Sequence, residues 1–353
     1  MKQKTWPSGS GNHRFTALLL DRRESHPRYE SEYPPSRSEP AYTSKRKSTR
    51  SSDQHRPSSR SSSSRTHRYD YSALPYDVVS KIAASFKYTD LRAASLACKA
   101  WRDALAPLRE AMLFLRWGKR YKHGRGGVKP NLSKALDSFL KGAARGSTLA
   151  MVDAGLLYWD MGDKEKGIAL YRKAAELGDP AGQCNLGLSY LQADPPFYNE
   201  ALKWLYKASL SGHVRAQYQL ALCLHQGRGL PKNLREAARW YQQAAVGGYA
   251  RAMYNTSLCY SGGVGFSQSH QLARKWMQRA ANCGHVRAQF EHGLGLFAEG
   301  DMMKAVVYLE LAGRAGEIAA DRVKAVVLQK MSLASREQAM RNADNWRPLP
   351  SSR

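Results

Sequence analysis

Acidic residues are scarce in this chain: its 353 residues include 29 Asp and Glu against 55 Lys and Arg, which gives a formal net charge of +26. A basic surface raises the association rate for acidic partners of any kind, including proteins, nucleic acids and anionic membranes. The charge alone therefore does not choose a partner.

Long apolar runs are also lacking. The longest run near the start, residues 17 to 20, has four residues and ends at Asp21. A membrane span needs about 20 predominantly apolar residues, and a secretory signal needs a longer apolar stretch than this one. We expect neither feature.

The cysteines do not form a disulfide framework. There are five, an odd number, and none of them has CxxC spacing. Free thiols are typical of a reducing compartment, so we expect the cytoplasm, the nucleus or both.

Motifs for enzyme chemistry are missing as well: the sequence has no Walker A or dinucleotide fingerprint, no HExxH and no paired Cys/His spacing. The glycine-rich segments 124–127, 227–229 and 262–265 suggest phosphate-binding loops, but they recur at one point of a repeat, which favours a structural role. We predict a protein that is not an enzyme, with no catalytic residue, no metal and no cofactor.

Residues 1–72 differ in composition from the remainder of the chain. They contain 17 serines, 15 Lys or Arg and 7 Asp or Glu, with few branched aliphatic residues. Such a segment buries too little apolar surface to offset its ordering entropy, so we predict a disordered tail. The basic run Lys45 to Lys47 is either a nuclear-import signal or part of a solvated tail.

A glycine recurs at intervals of 32, 34, 36, 36 and 32 residues, at Gly146, Gly178, Gly212, Gly248, Gly284 and Gly316. Small residues lie at fixed distances before and after each glycine, in spacings that fit one face of a helix. We predict six helix pairs over residues 109–316, in which each glycine ends the second helix in a left-handed cap.

The loop between the two helices of a pair accounts for the variation in repeat length. The residue closing it is a good N-cap in five repeats: Asn131, Asp163, Asn233, Ser269 and Asp301. Asn233 and Glu236 have capping-box spacing. Phe197 breaks the rule, so the start of that helix is the least certain boundary.

These repeats resemble the Sel-like (SLR) subfamily of tetratricopeptide-type repeats, whose pattern is visible over Ala181 to Tyr190 and Ala237 to Gly248. The resemblance implies an all-α fold, a right-handed α-solenoid that binds proteins. Residues 317–331 look like a terminal helix, and we expect capping helices over residues 317–345 and a tail over 346–353.

Residues 73–117 precede the repeats and do not follow their spacing. Val78, Val79, Ile82 and Phe86 make one helical face, Asp90 is a plausible N-cap, and a second apolar stripe follows it to Leu105. By periodicity alone this is a small helical bundle, too short to be comfortably stable without a partner.

The same segment resembles an F-box, with Val79 and Ala97 as mild departures from its pattern, and the chain as a whole resembles plant F-box proteins with SLR repeats. The resemblance implies docking on the Skp adaptor of an SCF (Skp, cullin, F-box) ubiquitin ligase. The matched positions are Leu74, Pro75, Val78, Ile82, Leu91, Leu96 and Trp101. The alternative is that these side chains merely cap the solenoid.

The resulting hypothesis is a substrate-recognition adaptor that binds the Skp adaptor, and through it a cullin, while the repeats hold a substrate protein. The rival is a repeat scaffold unconnected to ubiquitin. We expect neither a nucleic acid ligand, because most aromatic residues occupy repeat positions committed to side-chain packing, nor a membrane partner.

Three arginines are candidates for substrate binding. Arg215, Arg251 and Arg287 each lie three residues after a repeat glycine, in successive repeats and at helix N-termini, where anions are favoured. Their spacing predicts a row of positive charge that binds an acidic or phosphorylated segment of the substrate protein. The alternative is that each guanidinium packs on the aromatic residue three positions later, at Tyr218, Tyr254 or Phe290.

Two pairs of equivalent residues are interpreted as structural. Cys223 and Cys259 each lie eleven residues after a repeat glycine, which favours side-chain packing over a metal or redox role. His213 and His285 each follow a repeat glycine directly and are expected to be structural or solvated.

Overall fold

The structure, a computed structural model, describes residues 74–75, 78–79, 82 and 88–350. Residues 88–350 form fifteen helices and no strands, so the predicted all-α class is confirmed. The helices are α1 (Tyr88–Ala94), α2 (Lys99–His123), α3 (Leu132–Ala144), α4 (Thr148–Asp160), α5 (Lys164–Glu176), α6 (Pro180–Leu191), α7 (Tyr198–Leu210), α8 (Val214–Gln226), α9 (Leu234–Val246), α10 (Ala250–Gly262), α11 (His270–Asn282), α12 (Val286–Ala298), α13 (Met302–Arg314), α14 (Ile318–Gln329) and α15 (Leu333–Asn345). The predicted disordered tail, residues 1–72, and the basic run within it lie outside the described residues.

Twelve of these helices form six pairs, from α2 with α3 to α12 with α13. Within a pair the first helix packs against the second, and the second packs against the first helix of the next pair. The apolar face of each pair is therefore covered by its neighbours, as a helical solenoid requires. The six predicted helix-turn-helix repeats are confirmed.

Each repeat glycine follows the second helix of a pair in a left-handed conformation. The φ angles run from 78° at Gly212 to 96° at Gly316. The N–H of Gly248 donates to the carbonyl of Ala245, and the N–H of Tyr249 donates to the carbonyl of Ala244, both at 3.0 Å. These bonds satisfy carbonyls at the helix end, and glycine adopts the required φ without steric cost.

The N-caps of the second helices are confirmed in four of the five predicted places. The side chains of Asn131, Asn233, Ser269 and Asp301 each accept a hydrogen bond from the backbone N–H three residues on. Asp163 occupies the predicted N-cap position of α5, but its carboxylate makes no cap bond and lies 3.1 Å from Lys166 Nζ instead. Phe197 occupies the N-cap position of α7 and supplies no cap bond either.

The capping-box prediction at Asn233 holds only in part. Asn233 Oδ1 accepts from the N–H of Glu236 at 3.0 Å. The second bond of a capping box, from the N–H of Asn233 to the Glu236 side chain, is absent, because that N–H donates to the carbonyl of Leu224 at 3.0 Å. The loop preceding α9 thus ties Asn233 to the end of α8.

The helices before the first repeat differ from their predicted bounds. We expected a helix that begins at Asp90 and carries its apolar stripe through Cys98, but Asp90 lies inside α1, and the chain breaks between α1 and α2. Ser95 Oγ donates to the carbonyl of Leu91 at 2.6 Å, and Cys98 Sγ accepts from the N–H of Trp101 at 3.4 Å. Small polar side chains that bond to nearby backbone in this way favour helix ends over helix interiors.

Helix α2 runs without a break from the expected F-box-like segment into the first repeat. It has 25 residues, and Pro107 lies inside it. No helix boundary separates residues 73–117 from the first repeat, because one helix serves both.

Two helices follow the sixth pair. Both α14 and α15 pack against α13, so the expected terminal helix is followed by a second one. After α15 the chain folds back towards α11: the N–H of Leu349 donates to the carbonyl of Asn282 at 2.9 Å. Residues 346–350 of the expected tail therefore lie near the end of α11.

Candidate functional site

A small apolar cluster holds the segment before the repeats together. Its buried members are Val79, Leu91, Ala104 and Leu105, and Leu74 and Trp101 pack partly buried against them. Leu91 is 1% exposed. The cluster joins α1 to the first half of α2.

The seven residues matched to the F-box pattern fall into three groups by burial. Leu91 is buried in the cluster, and Leu74, Val78 and Trp101 are partly buried. Pro75, Ile82 and Leu96 are exposed, with Ile82 at 44% and Leu96 at 74%. Leu91 therefore serves the module's own core, and the exposed three are available to a partner.

The three candidate arginines all lie in the first turn of a first helix, in α8, α10 and α12, and all three are exposed. Among residues 88–350 no ion pair or hydrogen bond is found for the side chains of Arg215 and Arg251. Arg287 differs, because its Nε lies 3.2 Å from Glu291 Oε1 and its Nη1 lies 3.8 Å from Glu317 Oε2. Arg215 and Arg251 are thus the two guanidinium groups in this row without an anionic partner in the described part of the chain.

The alternative that each arginine packs on the aromatic residue three positions later is found at one of the three places. Arg287 lies over the ring of Phe290 at 5.9 Å. Tyr218 instead contacts the rings of Tyr249 and Tyr241, and Tyr254 stacks on His285 with ring centroids 4.8 Å apart. The side-chain packing alternative therefore does not account for Arg215 or Arg251.

His213 and His285 have a structural role that the sequence did not reveal: both are N-caps. The Nδ1 of His213 accepts from the N–H of Ala216 at 3.3 Å, and that of His285 accepts from the N–H of Ala288 at 3.2 Å. Burial, together with the nearby Arg251, lowers the pKa of His285 to about 4. The same position carries Ser147 and Asp179, ordinary N-caps, in earlier repeats, and this is the signal that could have identified the histidines.

Glu291 was not identified from the sequence, although it pairs with Arg287, the last arginine of the row. It is 9% exposed, and its Oε1 accepts from the Tyr254 hydroxyl at 2.8 Å as well as pairing with Arg287. Its Oε2 is buried and has no hydrogen-bond partner among the described residues. One carboxylate thus links two successive first helices.

The cysteines and glycine-rich loops occupy structural positions. Cys223 and Cys259 are buried, and burial raises the pKa of the Cys259 thiol to about 12. Gly124, Gly227 and Gly263 each follow a first helix with positive φ as its C-cap. Both observations agree with the structural interpretation of these residues.

Within the described residues, no group of three or more His, Cys, Asp or Glu side chains has a geometry that could hold a metal ion. None of their helices is both long and apolar enough to cross a membrane.

Comparison with known proteins agrees with this architecture. The Sel1 repeat family model matches residues 115–147, 153–179, 180–213, 214–249, 250–285 and 288–317, which together make up more than half of the chain. Each matched segment lies in the region of the six helix pairs.

A solved structure shows the same fold. A Sel1 repeat protein from Oxalobacter formigenes is 24% identical with a TM-score of 0.52, over 64% of this chain and 94% of its own. A protective antigen of uropathogenic Escherichia coli with an SLR fold is 19% identical with a TM-score of 0.43, over 77% of this chain and 71% of its own.

Among curated proteins, one from Arabidopsis thaliana described as an F-box protein is 69% identical over 288 residues, covering 80% of this chain and 82% of the relative. Its name agrees with the F-box pattern that precedes the repeats. The chain therefore belongs to the Sel1 repeat family, as an F-box protein that carries six such repeats.

Proposed function

We propose that this protein is the substrate-recognition adaptor of an SCF-type ubiquitin ligase. The segment before the repeats docks on the Skp adaptor and through it on a cullin, and the repeats hold a substrate protein. The chemistry belongs to other subunits, and this chain contributes by bringing a substrate lysine close to the ubiquitin carrier.

The observation that carries the proposal is the burial pattern at the F-box positions. A partner that covers an exposed apolar side chain such as Leu96 gains the free energy of removing that surface from water. Pro75, Ile82 and Leu96 are the matched positions that the module's own core leaves exposed. They are the contacts we assign to the Skp adaptor.

Helix α2 supports the adaptor role because it belongs to both halves. A continuous helix is a stiff connection, so a substrate held by the first repeats keeps a defined position relative to the docked ligase. A flexible linker would allow a wide range of positions instead.

Co-purification from cells that express a Skp adaptor and a cullin tests this docking. The double variant Ile82→Glu, Leu96→Glu should lose both proteins, while the wild type retains them. Leu177→Glu is the matched control, because Leu177 is 61% exposed on the repeats and lies outside the F-box pattern. Retention of the Skp adaptor by the double variant would refute the docking and favour the rival, a repeat scaffold without a ligase role.

We further propose that Arg215 and Arg251 bind an acidic or phosphorylated stretch of the substrate, with Arg287 in a supporting position. Unpaired guanidinium groups at helix N-termini bind carboxylate and phosphate well. Arg287 is already held by Glu291 and Glu317, so it contributes less.

Substrate affinity measured against salt concentration tests this second step. Arg215→Gln with Arg251→Gln should weaken binding and flatten its salt dependence. Arg235→Gln with Arg239→Gln, on the second helix α9, is a control of equal charge change. Unchanged affinity and salt dependence in the Arg215 and Arg251 variant would remove these residues from the binding site.

A further inference from the structure

An open pocket lies between the fifth helix pair and the first helix of the sixth pair. It has a volume of about 440 Å³ and lies between α10, α11 and α12. Ser257, Leu258, Met277, Gly295 and Leu296 line it together with Glu291.

One repeat position that lines the pocket has no side chain. Eleven residues after the repeat glycine, the other repeats carry buried side chains, at Leu157, Ser189, Cys223 and Cys259, and Val327 lies at the same distance in α14. The equivalent residue in α12 is Gly295, where an added Cβ would meet nothing within 4 Å. The gap left by this missing side chain opens on the pocket.

A second departure from the repeat places a charge at the pocket wall. Seven residues after the glycine, the three preceding repeats carry the neutral amides Asn185, Gln219 and Asn255, whereas this repeat carries Glu291. The equivalent residue after Gly146, Asp153, is also acidic, but it has a cation nearby, because its Oδ2 lies 3.7 Å from Lys119 Nζ. Glu291 is nine-tenths buried, and its Oε2 has no partner among the described residues.

Glu310, in the next helix, provides a comparison from the same chain. It is equally buried, and its two oxygens hold two cations: Oε1 pairs with Arg314 and Oε2 with Lys324, both at 2.7 Å. Glu291 also holds an arginine four residues away on Oε1, although Arg287 precedes it in the chain, and it lacks the second cation. A second cation at Glu291 would therefore pair with its Oε2, the oxygen that has no partner among the described residues.

The other charged groups at the pocket do not supply this cation. Arg274 is paired with Glu299 at 2.8 Å, and both are exposed at the rim. Lys275 is exposed, so water screens its charge. Burial lowers the pKa of His292 below its ordinary value, which keeps the imidazole neutral near pH 7.

We propose that this pocket is a binding site for the side chain of a lysine or arginine from a partner protein. Such a side chain has an apolar stem and a charged end. The stem fits between Met277, Leu258 and Leu296, in the space that Gly295 leaves open, and the charged end donates to Glu291. The site does not depend on docking to the Skp adaptor, so a failure of that docking would not refute the proposed site.

An NMR titration of the full chain with capped amino acid amides, carried to millimolar concentration, tests the proposal. N-acetyl-lysinamide or N-acetyl-argininamide should shift the amide signals of residues 291–296, and N-acetyl-leucinamide should not. Glu291→Gln, which restores the kind of amide found in the preceding repeats, should weaken binding about tenfold. Gly295→Leu, which fills the gap, should abolish it.

Three results would overturn the proposal. If N-acetyl-leucinamide binds as well as the basic probes, the pocket accepts apolar side chains without regard to charge. If neither basic probe shifts these signals, the pocket holds only water. If Gly295→Leu binds like the wild type while its melting temperature is unchanged, the probes bind elsewhere.

Discussion

The Nδ1 atom of His285 accepts a hydrogen bond from the backbone N–H of Ala288 at 3.2 Å, so this histidine performs the N-cap role that serine or aspartate performs in other repeats. An imidazole accepts through Nδ1 only while that atom carries no proton. Protonation of His285 therefore removes the cap of α12.

This cap predicts a pH-dependent stability. Since the pKa of His285 is lowered from 6.5 to about 4 in the folded protein, its contribution is complete above pH 6.5 and is lost as the pH falls from 6.5 towards 4. We expect a loss on the order of 1 to 2 kcal/mol between pH 7 and pH 5 from this residue.

Thermal unfolding of wild type and His285→Asn at both pH values measures the effect. Asparagine caps without titrating in this range, so the variant should lose less stability on acidification. An equal loss in both proteins would show that His285 does not contribute to the pH dependence.

The two cap positions Asn233 and Asp163 form a matched pair. Asn233 makes a side-chain cap bond and Asp163 does not. Asn233→Ala should lower the free energy of unfolding by about 1 kcal/mol, and Asp163→Ala by less than about half of that. Equal losses in chemical denaturation would contradict the cap assignment.

Two glycines with open space around them should respond in opposite directions to alanine. Gly212 has φ 78° and Gly295 lies inside a helix, and an added Cβ meets nothing within 4 Å at either place. Gly212→Ala should cost about 1 kcal/mol because of backbone strain, whereas Gly295→Ala should gain up to about 1 kcal/mol from helix propensity. A stabilising Gly212→Ala would be inconsistent with a left-handed cap.

A substitution at Pro107 tests whether α2 is continuous. It is exposed and lies inside the helix, where it cannot donate the usual backbone hydrogen bond. Pro107→Ala should therefore raise the free energy of unfolding, by about 1 to 3 kcal/mol. A lowered melting temperature would indicate that the chain needs a break at this point.

The repeats could be predicted from sequence because their signals are local. A glycine that ends a helix and an asparagine that begins one act on their own backbone, so Gly248 and Asn233 could be assigned from spacing alone. The N-cap prediction at Asp90 is wrong because Tyr88 and Thr89 already belong to α1, and the cap of the following helix is supplied by Cys98.

The sites were harder to predict because they depend on contacts between repeats. Arg287 is paired and Arg251 is not because the residue four positions on is Glu291 in α12 but Asn255 in α10, and because Glu317 approaches Arg287 from the start of α14. The pocket at Gly295 is marked in the sequence as a departure from the repeat, but a missing side chain becomes a pocket only where adjacent helices leave the gap unfilled.

The most direct test of the adaptor account is a calorimetric titration of the full chain with a purified Skp adaptor. The account predicts binding by the wild type, at least tenfold weaker binding by Leu96→Ala with an unchanged melting temperature, and a lowered melting temperature for Leu91→Ala, which removes a buried side chain from the module's core. No binding by the folded wild type, or wild-type affinity in Leu96→Ala, would contradict it.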